Sequence, residues 1–118
     1  MFKTVRIGEK DVPMLSMASV DLYYKTVFGE DPFVIQSNMG PGDAISFYQR
    51  MAFIMAKFAE VKERKEMLKL SIDSFYEWMD QFSRDDLILA LEPIMLVYNG
   101  QMSTSTEAKK KDDGPSAS

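Results

Sequence analysis

Residues 43–64 read DAISFYQRMAFIMAKFAEVKER, and this stretch decides the fold. Asp43 follows Pro41-Gly42 and is a suitable N-cap, so the stretch predicts the longest helix of the chain, reaching about Arg64. On a helical wheel the apolar residues fill about half the circumference, which is wider than the roughly 100° stripe that one core needs. They are Ala44, Ile45, Phe47, Tyr48, Met51, Ala52, Ile54, Met55, Phe58 and Ala59.

Phe53 falls outside this arc, on the far side of the wheel beside Ser46, Gln49 and Lys57. The pattern therefore predicts an exposed aromatic ring. Single exposed aromatic residues are common on protein surfaces, so the position fits either an ordinary surface residue or a contact with another chain.

Three further helices are predicted from their start and stop signals. The first runs from an N-cap at Ser19 to Phe28 and stops at Gly29. The second runs from about residue 71 or 73 to 82 and is expected to bury Ile72, Phe75, Trp78, Met79 and Phe82. The third opens at Ser83 and closes at residues 99–100. It is apolar almost all the way round, and Pro93 should kink or split it.

Other segments connect these helices. Residues 2–15 predict a short β-hairpin whose second strand carries Pro13, which confines that strand to an edge or a bulge. Residues 30–42 predict a linker or mobile loop, with one helical turn at Phe33-Val34-Ile35. The charged run 60–66 predicts a solvated helix end. The fold class is mainly α (α+β): a hairpin packed on a bundle of about four helices.

The chain divides into a domain and a tail. Residues 1–100 are rich in large apolar side chains and predict one helical domain. In residues 101–118 the only large apolar residue is Met102. That segment cannot offset the entropy of ordering itself, so a disordered polar tail is expected.

Composition argues against catalysis. The chain has no cysteine and no histidine, which removes a cysteine nucleophile, thiolate metal sites, the commonest general base and the commonest metal ligand. Asp80, Asp85 and Asp86 straddle a helix junction, and the last two suit the N-terminal dipole of a helix rather than a hydrolytic pair. A non-enzymatic protein without cofactor or metal is expected.

Charge and hydropathy bound the partners. The net charge of −4 does not favour nucleic acid. The chain contains neither an apolar run long enough for a membrane span nor a signal peptide, so a cytosolic protein is expected. Ten methionines suit a surface that repacks against helical partners, although any one of them alone fits a core position better. The residues predicted to bind a partner are Phe33, Met39, Met51, Phe53, Met55 and Leu96.

Several of these segments resemble the tail assembly chaperones of siphophages that infect Gram-positive bacteria. The similar segments are FKTVRIGEKDVPML at residues 2–15, Phe28-Gly29-Glu30-Asp31, FYEWMDQFSRDDLILALEPIMLVYNG at residues 75–100, and the Ser/Thr/Lys-rich ending. The resemblance covers most of residues 1–111. It rests on aromatic patterns and helix stops, so no residue role can be transferred one by one.

The resemblance implies a transient, non-virion protein of the host cytoplasm that self-associates. Its expected partners are the tape measure protein, which it keeps soluble, and the major tail tube protein, which polymerises around that client. A longer product made by ribosomal slippage is also implied, and Lys109-Lys110-Lys111 stands where the slip would occur. Those lysines also fit an ordinary solvated basic segment. The alternative is a structural virion component, such as a head–tail completion protein.

Overall fold

The computed structural model describes residues 1–100 of the chain, and they form a mainly helical fold with an N-terminal antiparallel hairpin, as predicted. The predicted disorder of residues 101–118 and the slippage at Lys109–Lys111 lie outside the described residues. The elements are β1 (Phe2–Ile7), β2 (Lys10–Leu15), α1 (Val20–Phe28), α2 (Pro32–Ser37), α3 (Pro41–Glu60), a 3₁₀ segment (Arg64–Lys69), α4 (Ile72–Met79), α5 (Arg84–Leu89) and α6 (residues 91–100).

The hairpin forms because a two-residue turn joins two strands with one apolar face. Gly8 opens the turn with φ 62°, a left-handed conformation that costs glycine little. Val5 pairs with Val12, and Val5, Ile7 and Met14 point into the core. Pro13 pairs with Thr4 in a two-stranded sheet, where each strand has a free edge, so its missing N–H is tolerated.

Helix α3 is the central element, since β2, α1, α2 and α4 all pack against it. Its 20 residues span about 30 Å. Residues 51–56 are six consecutive buried positions, so this part of the helix is covered on every side. The broad apolar arc on α3 is therefore buried within one chain along residues 51–56, whereas Ile45 near the start of the helix is exposed.

The predicted exposure of Phe53 is wrong: its side chain is 0% exposed. Three aromatic rings from other elements surround it, with centroids 6.3 Å away at Phe28, 5.6 Å at Phe75 and 6.0 Å at Trp78. Because α4 folds back over α3, the side that the helical wheel assigns to solvent is a second buried face.

The end of α3 also differs from the prediction. The helix stops at Glu60, and Val61 is extended with ψ 144°. Glu66 then accepts hydrogen bonds from the backbone N–H groups of Glu63 at 2.9 Å and Lys62 at 3.1 Å, which starts the 3₁₀ segment. This turn carries Met67 into the core. The charged run is solvated, but it is a connection rather than the end of the helix.

Asp43 is not the N-cap of α3 that the sequence predicts: the helix begins at Pro41, and Asp43 accepts from the N–H of Gly40 in the first turn. Ser19 precedes α1 as predicted but makes no side-chain cap hydrogen bond.

Other predicted signals mark real boundaries. Gly29 ends α1 with φ 70° and donates its N–H to Lys25. Ser83 caps α5 by accepting from the N–H of Asp86 at 3.1 Å. The last predicted helix is split at Ala90, since Pro93, in the first turn of α6, has no N–H to continue the ladder. The predicted linker contains α2, so it is more ordered than a loop.

Candidate protein-binding surface

A cleft of about 400 Å³ lies between α1, α2 and α3. Three apolar side chains and one tyrosine form its walls, and polar groups form its floor. The lining residues are Tyr24, Glu30, Val34, Ile35, Asn38, Asp43, Ser46, Phe47 and Arg50. Helix α2 stands beside the cleft because Asp31 caps it by accepting from the N–H of Phe33 at 2.9 Å.

An ion pair between Glu30 and Arg50 crosses the floor of this cleft. The Tyr24 hydroxyl donates to the same Glu30 carboxylate at 3.3 Å, and the Arg50 guanidinium lies 5.3 Å from the centre of the Phe28 ring. Burial, the largest cause, raises the pKa of Tyr24 to about 12, so its phenol is neutral at physiological pH. The cleft therefore has an ordered polar floor between apolar walls.

A second, smaller cleft of about 150 Å³ opens on the other side of this ion pair. It is lined by Phe28, Glu30, Arg50, Ile72, Phe75 and Tyr76. Glu30 and Arg50 line both clefts, so the two clefts adjoin at this ion pair, one beside α2 and the other beside α4. We call the lining residues of both clefts the Glu30–Arg50 groove.

Large apolar side chains stand exposed at both ends of this groove. Val34 on α2 and Tyr76 on α4 are each 58% exposed, and Phe33 and Ile72 beside them are exposed as well. Burial of such surface by a partner is favourable by roughly 25 cal/mol per Å². The exposure of Ile72 corrects the prediction that α4 buries it. That residue begins α4 beyond the edge of the core.

A second apolar surface lies at the other end of the chain. Leu89 on α5 is 79% exposed and Leu96 on α6 is 63% exposed, and Ile88 and Met95 next to them are also exposed. Leu87, Ile94 and Val97 hold the opposite side of the two helices in the core. These four exposed residues constitute the α5–α6 face.

A third concave region separates the hairpin from α4. Its cleft of about 420 Å³ contains Lys10, Lys57, Trp78 and Phe82, and the Lys10 ammonium lies 5.5 Å from the centre of the Phe82 ring. Within residues 1–100 no group of three or more Asp or Glu side chains is arranged to hold a metal ion. Asp85 and Asp86 lie in the first turn of α5, in line with the predicted dipole role.

The structure separates the six predicted partner-binding residues into two groups. Phe33 is exposed beside the Glu30–Arg50 groove, Leu96 is exposed on the α5–α6 face, and Met39 is half-buried against the core. The other three are fully buried in the core and are not presented on the surface of this fold: Met51, Phe53 and Met55. Their burial follows from the central position of α3.

The sequence analysis does not predict the exposure of four residues on these two surfaces: Val34, Ile72, Tyr76 and Leu89. A usable signal existed for two of them. Ile72 and Tyr76 are four residues apart, and this spacing places both side chains on one face of a helix. Whether that face is exposed depends on how α4 packs on the core, and the spacing alone does not show this.

Comparisons with protein-family models, curated proteins and solved structures returned no match. Among the helices within residues 1–100, none combines the length and apolarity that crossing a bilayer requires. Function must therefore be argued from the surfaces described above and from the segments quoted in the sequence analysis.

Proposed function

We propose that this chain is a siphophage tail assembly chaperone that binds the tape measure protein, keeps it soluble and assists assembly of the tail tube. The observation that carries the proposal is the exposure of large apolar side chains on short helices around a well-packed core, at the Glu30–Arg50 groove and the α5–α6 face. The resemblance of residues 2–15 and 75–100 to that family supports the same function.

The mechanism follows from the chemistry of these surfaces. A tape measure protein is a long helical chain with apolar stripes, and unbound stripes associate with one another. Val34, Tyr76 and Leu96 offer apolar area that covers such stripes, in the manner of helix-in-groove recognition. Binding competes with self-association by mass action. Each contact is small, so release stays feasible, and many copies along one client give the total strength.

Co-expression with the tape measure protein of the same phage tests this function. The soluble fraction of the client should rise when this chain is present, and the two should co-purify. The variants Val34→Gln with Tyr76→Gln, and separately Leu96→Gln, should lower client solubility, since glutamine keeps the helix but removes the apolar surface.

Leu22→Gln is the matched control. Leu22 is 68% exposed, as much as the tested residues, but it lies two positions from Tyr24 on α1 and therefore on a different side of that helix. This variant should behave as wild type. A client that is equally soluble with and without the chain would refute the chaperone function.

Mass analysis of purified particles addresses the alternative that the sequence leaves open. A chaperone acts before the particle is complete, so the chain should be absent from finished virions. Stoichiometric copies in the particle would instead identify a structural component. Self-association, also proposed here, is measured by sedimentation of the purified chain over a range of concentrations.

A further inference from the structure

We infer that the Glu30–Arg50 groove accepts an amphipathic helix of a partner protein that carries lysine or arginine beside its apolar stripe. The inference deepens the proposed function and rests on it for the identity of the natural partner, the tape measure protein. The groove itself combines apolar ends with a polar floor in which carboxylates outnumber cations by one.

Helix α3 supplies one side of the groove. Asp43, Ser46 and Arg50 are spaced three and four residues apart on α3, so their side chains line one strip of that helix. Seven residues of helix correspond to about 10 Å, and the second cleft extends the strip towards α4. An occupant helix lying along this strip would place apolar side chains against Val34 beside α2 and Tyr76 on α4.

The charge of the groove selects a basic occupant. The lining residues of the two clefts carry two carboxylates, Glu30 and Asp43, against one cation, Arg50. Asp31 is not a lining residue, but it follows Glu30 directly in the chain. Arg50 is already paired with Glu30. The groove therefore has an excess of negative charge that an incoming lysine or arginine would neutralise and an incoming carboxylate would meet with repulsion.

Asp31 and Asp43 each retain free acceptor capacity. Their carboxylates accept backbone N–H groups, Asp31 from Phe33 at 2.9 Å and Asp43 from Gly40 at 3.0 Å. A carboxylate has about four acceptor positions, so each can still accept from a cation. Asparagine keeps a side-chain oxygen that accepts a hydrogen bond at both positions, so the charges can be removed while an acceptor is retained.

The test measures binding of two synthetic peptides to the full chain by fluorescence anisotropy. Both are labelled helices of about 18 residues, long enough to retain helicity, with the same leucine stripe. One carries lysines beside the stripe and the other carries glutamates. At low salt the lysine peptide should bind at least about tenfold more tightly, and the preference should shrink as salt is added.

Two variants locate the binding. The double variant Asp31→Asn with Asp43→Asn should weaken binding of the lysine peptide about fivefold and should not weaken binding of the glutamate peptide. Val34→Gln with Tyr76→Gln should weaken the lysine peptide about tenfold. Leu22→Gln, which lies outside both apolar surfaces, should leave the binding of both peptides unchanged. Far-ultraviolet circular dichroism establishes that each variant is folded.

Three results would overturn the inference. Equal affinity for the two peptides would show that the groove does not select a basic helix. Marked tightening of the lysine peptide when Lys109, Lys110 and Lys111 are replaced by glutamine would make the chain's own segment the occupant. Dissociation of an oligomer by Val34→Gln with Tyr76→Gln would assign the groove to a second copy of the chain.

The proposed function and this inference can fail separately. Binding of the lysine peptide as expected, together with no effect on tape measure solubility, would retain the groove and refute the chaperone. A solubilised tape measure protein together with no charge preference between the peptides would support the chaperone function and refute the charge selection by the groove.

Discussion

Replacement of Phe53 by alanine should be among the most damaging single changes in this chain. The ring is fully buried, and it packs edge-on against Phe28, Phe75 and Trp78, so it joins α3 to both α1 and α4. Burial of a phenylalanine side chain contributes up to about 3 kcal/mol, and aromatic pairs add about 0.5–1.5 kcal/mol each. Because these terms overlap, we expect a loss near the top of the measured range for such truncations, about 4–5 kcal/mol.

Urea unfolding followed by tryptophan fluorescence measures this loss, since Trp78 lies beside the altered site. Phe53→Leu should cost less than Phe53→Ala, because leucine fills part of the volume. Phe33→Ala, at an exposed position, should change the free energy of unfolding by less than about 0.5 kcal/mol. A loss below about 1 kcal/mol for Phe53→Ala would mean that Phe53 is exposed after all and that α4 does not cover α3.

Three further changes test separate features. Gly8→Ala should destabilise the chain by about 1–2 kcal/mol in thermal unfolding, because alanine resists φ 62°. Tyr98→Phe should cost about 1–3 kcal/mol in urea unfolding, since it removes the 2.6 Å hydrogen bond to Asp21 and leaves that part-buried carboxylate without its donor. The pKa of Tyr24 is raised to about 12, mainly by burial, against about 10 when unfolded. The folded chain thus holds the phenol proton more tightly. The contribution of Tyr24 to the free energy of unfolding should therefore be fully present below about pH 10 and fall towards pH 12. Tyr24→Phe should remove that part of the fall, as urea midpoints across this pH range will show.

The helix boundaries were predictable where one residue carries the signal. Gly29 is suited to the left-handed conformation that ends α1, and Ser83 has the hydroxyl that caps α5. Pro93 cannot donate an N–H, so the break near Ala90 was predictable too. Each of these signals acts within a few residues of chain, and no knowledge of the tertiary fold is needed to interpret it.

The end of α3 was not predictable in the same way. The charged run 60–66 has spacings that suit a helix, and local propensity does not oppose one. The chain nevertheless turns at Val61, because the turn allows Met67 to enter the core and lets the Glu66 carboxylate accept two backbone N–H groups. This benefit depends on where the core lies, which no local pattern specifies.

The position of Phe53 shows a related limit for the candidate site. A helical wheel orders side chains around an axis, but it does not count how many neighbours that axis has. Helix α3 is covered by β2, α1, α2 and α4, so the apparently polar side also contains buried positions. Met51, Phe53 and Met55 were assigned to a partner for the same reason, although the chain itself supplies their contacts.

Apolar runs in short peripheral helices are a better sequence signal for a binding surface than a broad arc in a long helix. Three consecutive apolar residues point in directions about 100° apart, so a helix with the core on one side cannot bury all three. In α2, Phe33 and Val34 face outwards while Ile35 is half-buried, and in the run 87–89 only Leu87 is buried. The equivalent run 53–55 is wholly buried, because α3 has neighbours on every side. The surplus apolar area that motivates the proposed chaperone function therefore lies on α2, α4 and the α5–α6 pair, and substitutions there should affect client binding far more than they affect folding.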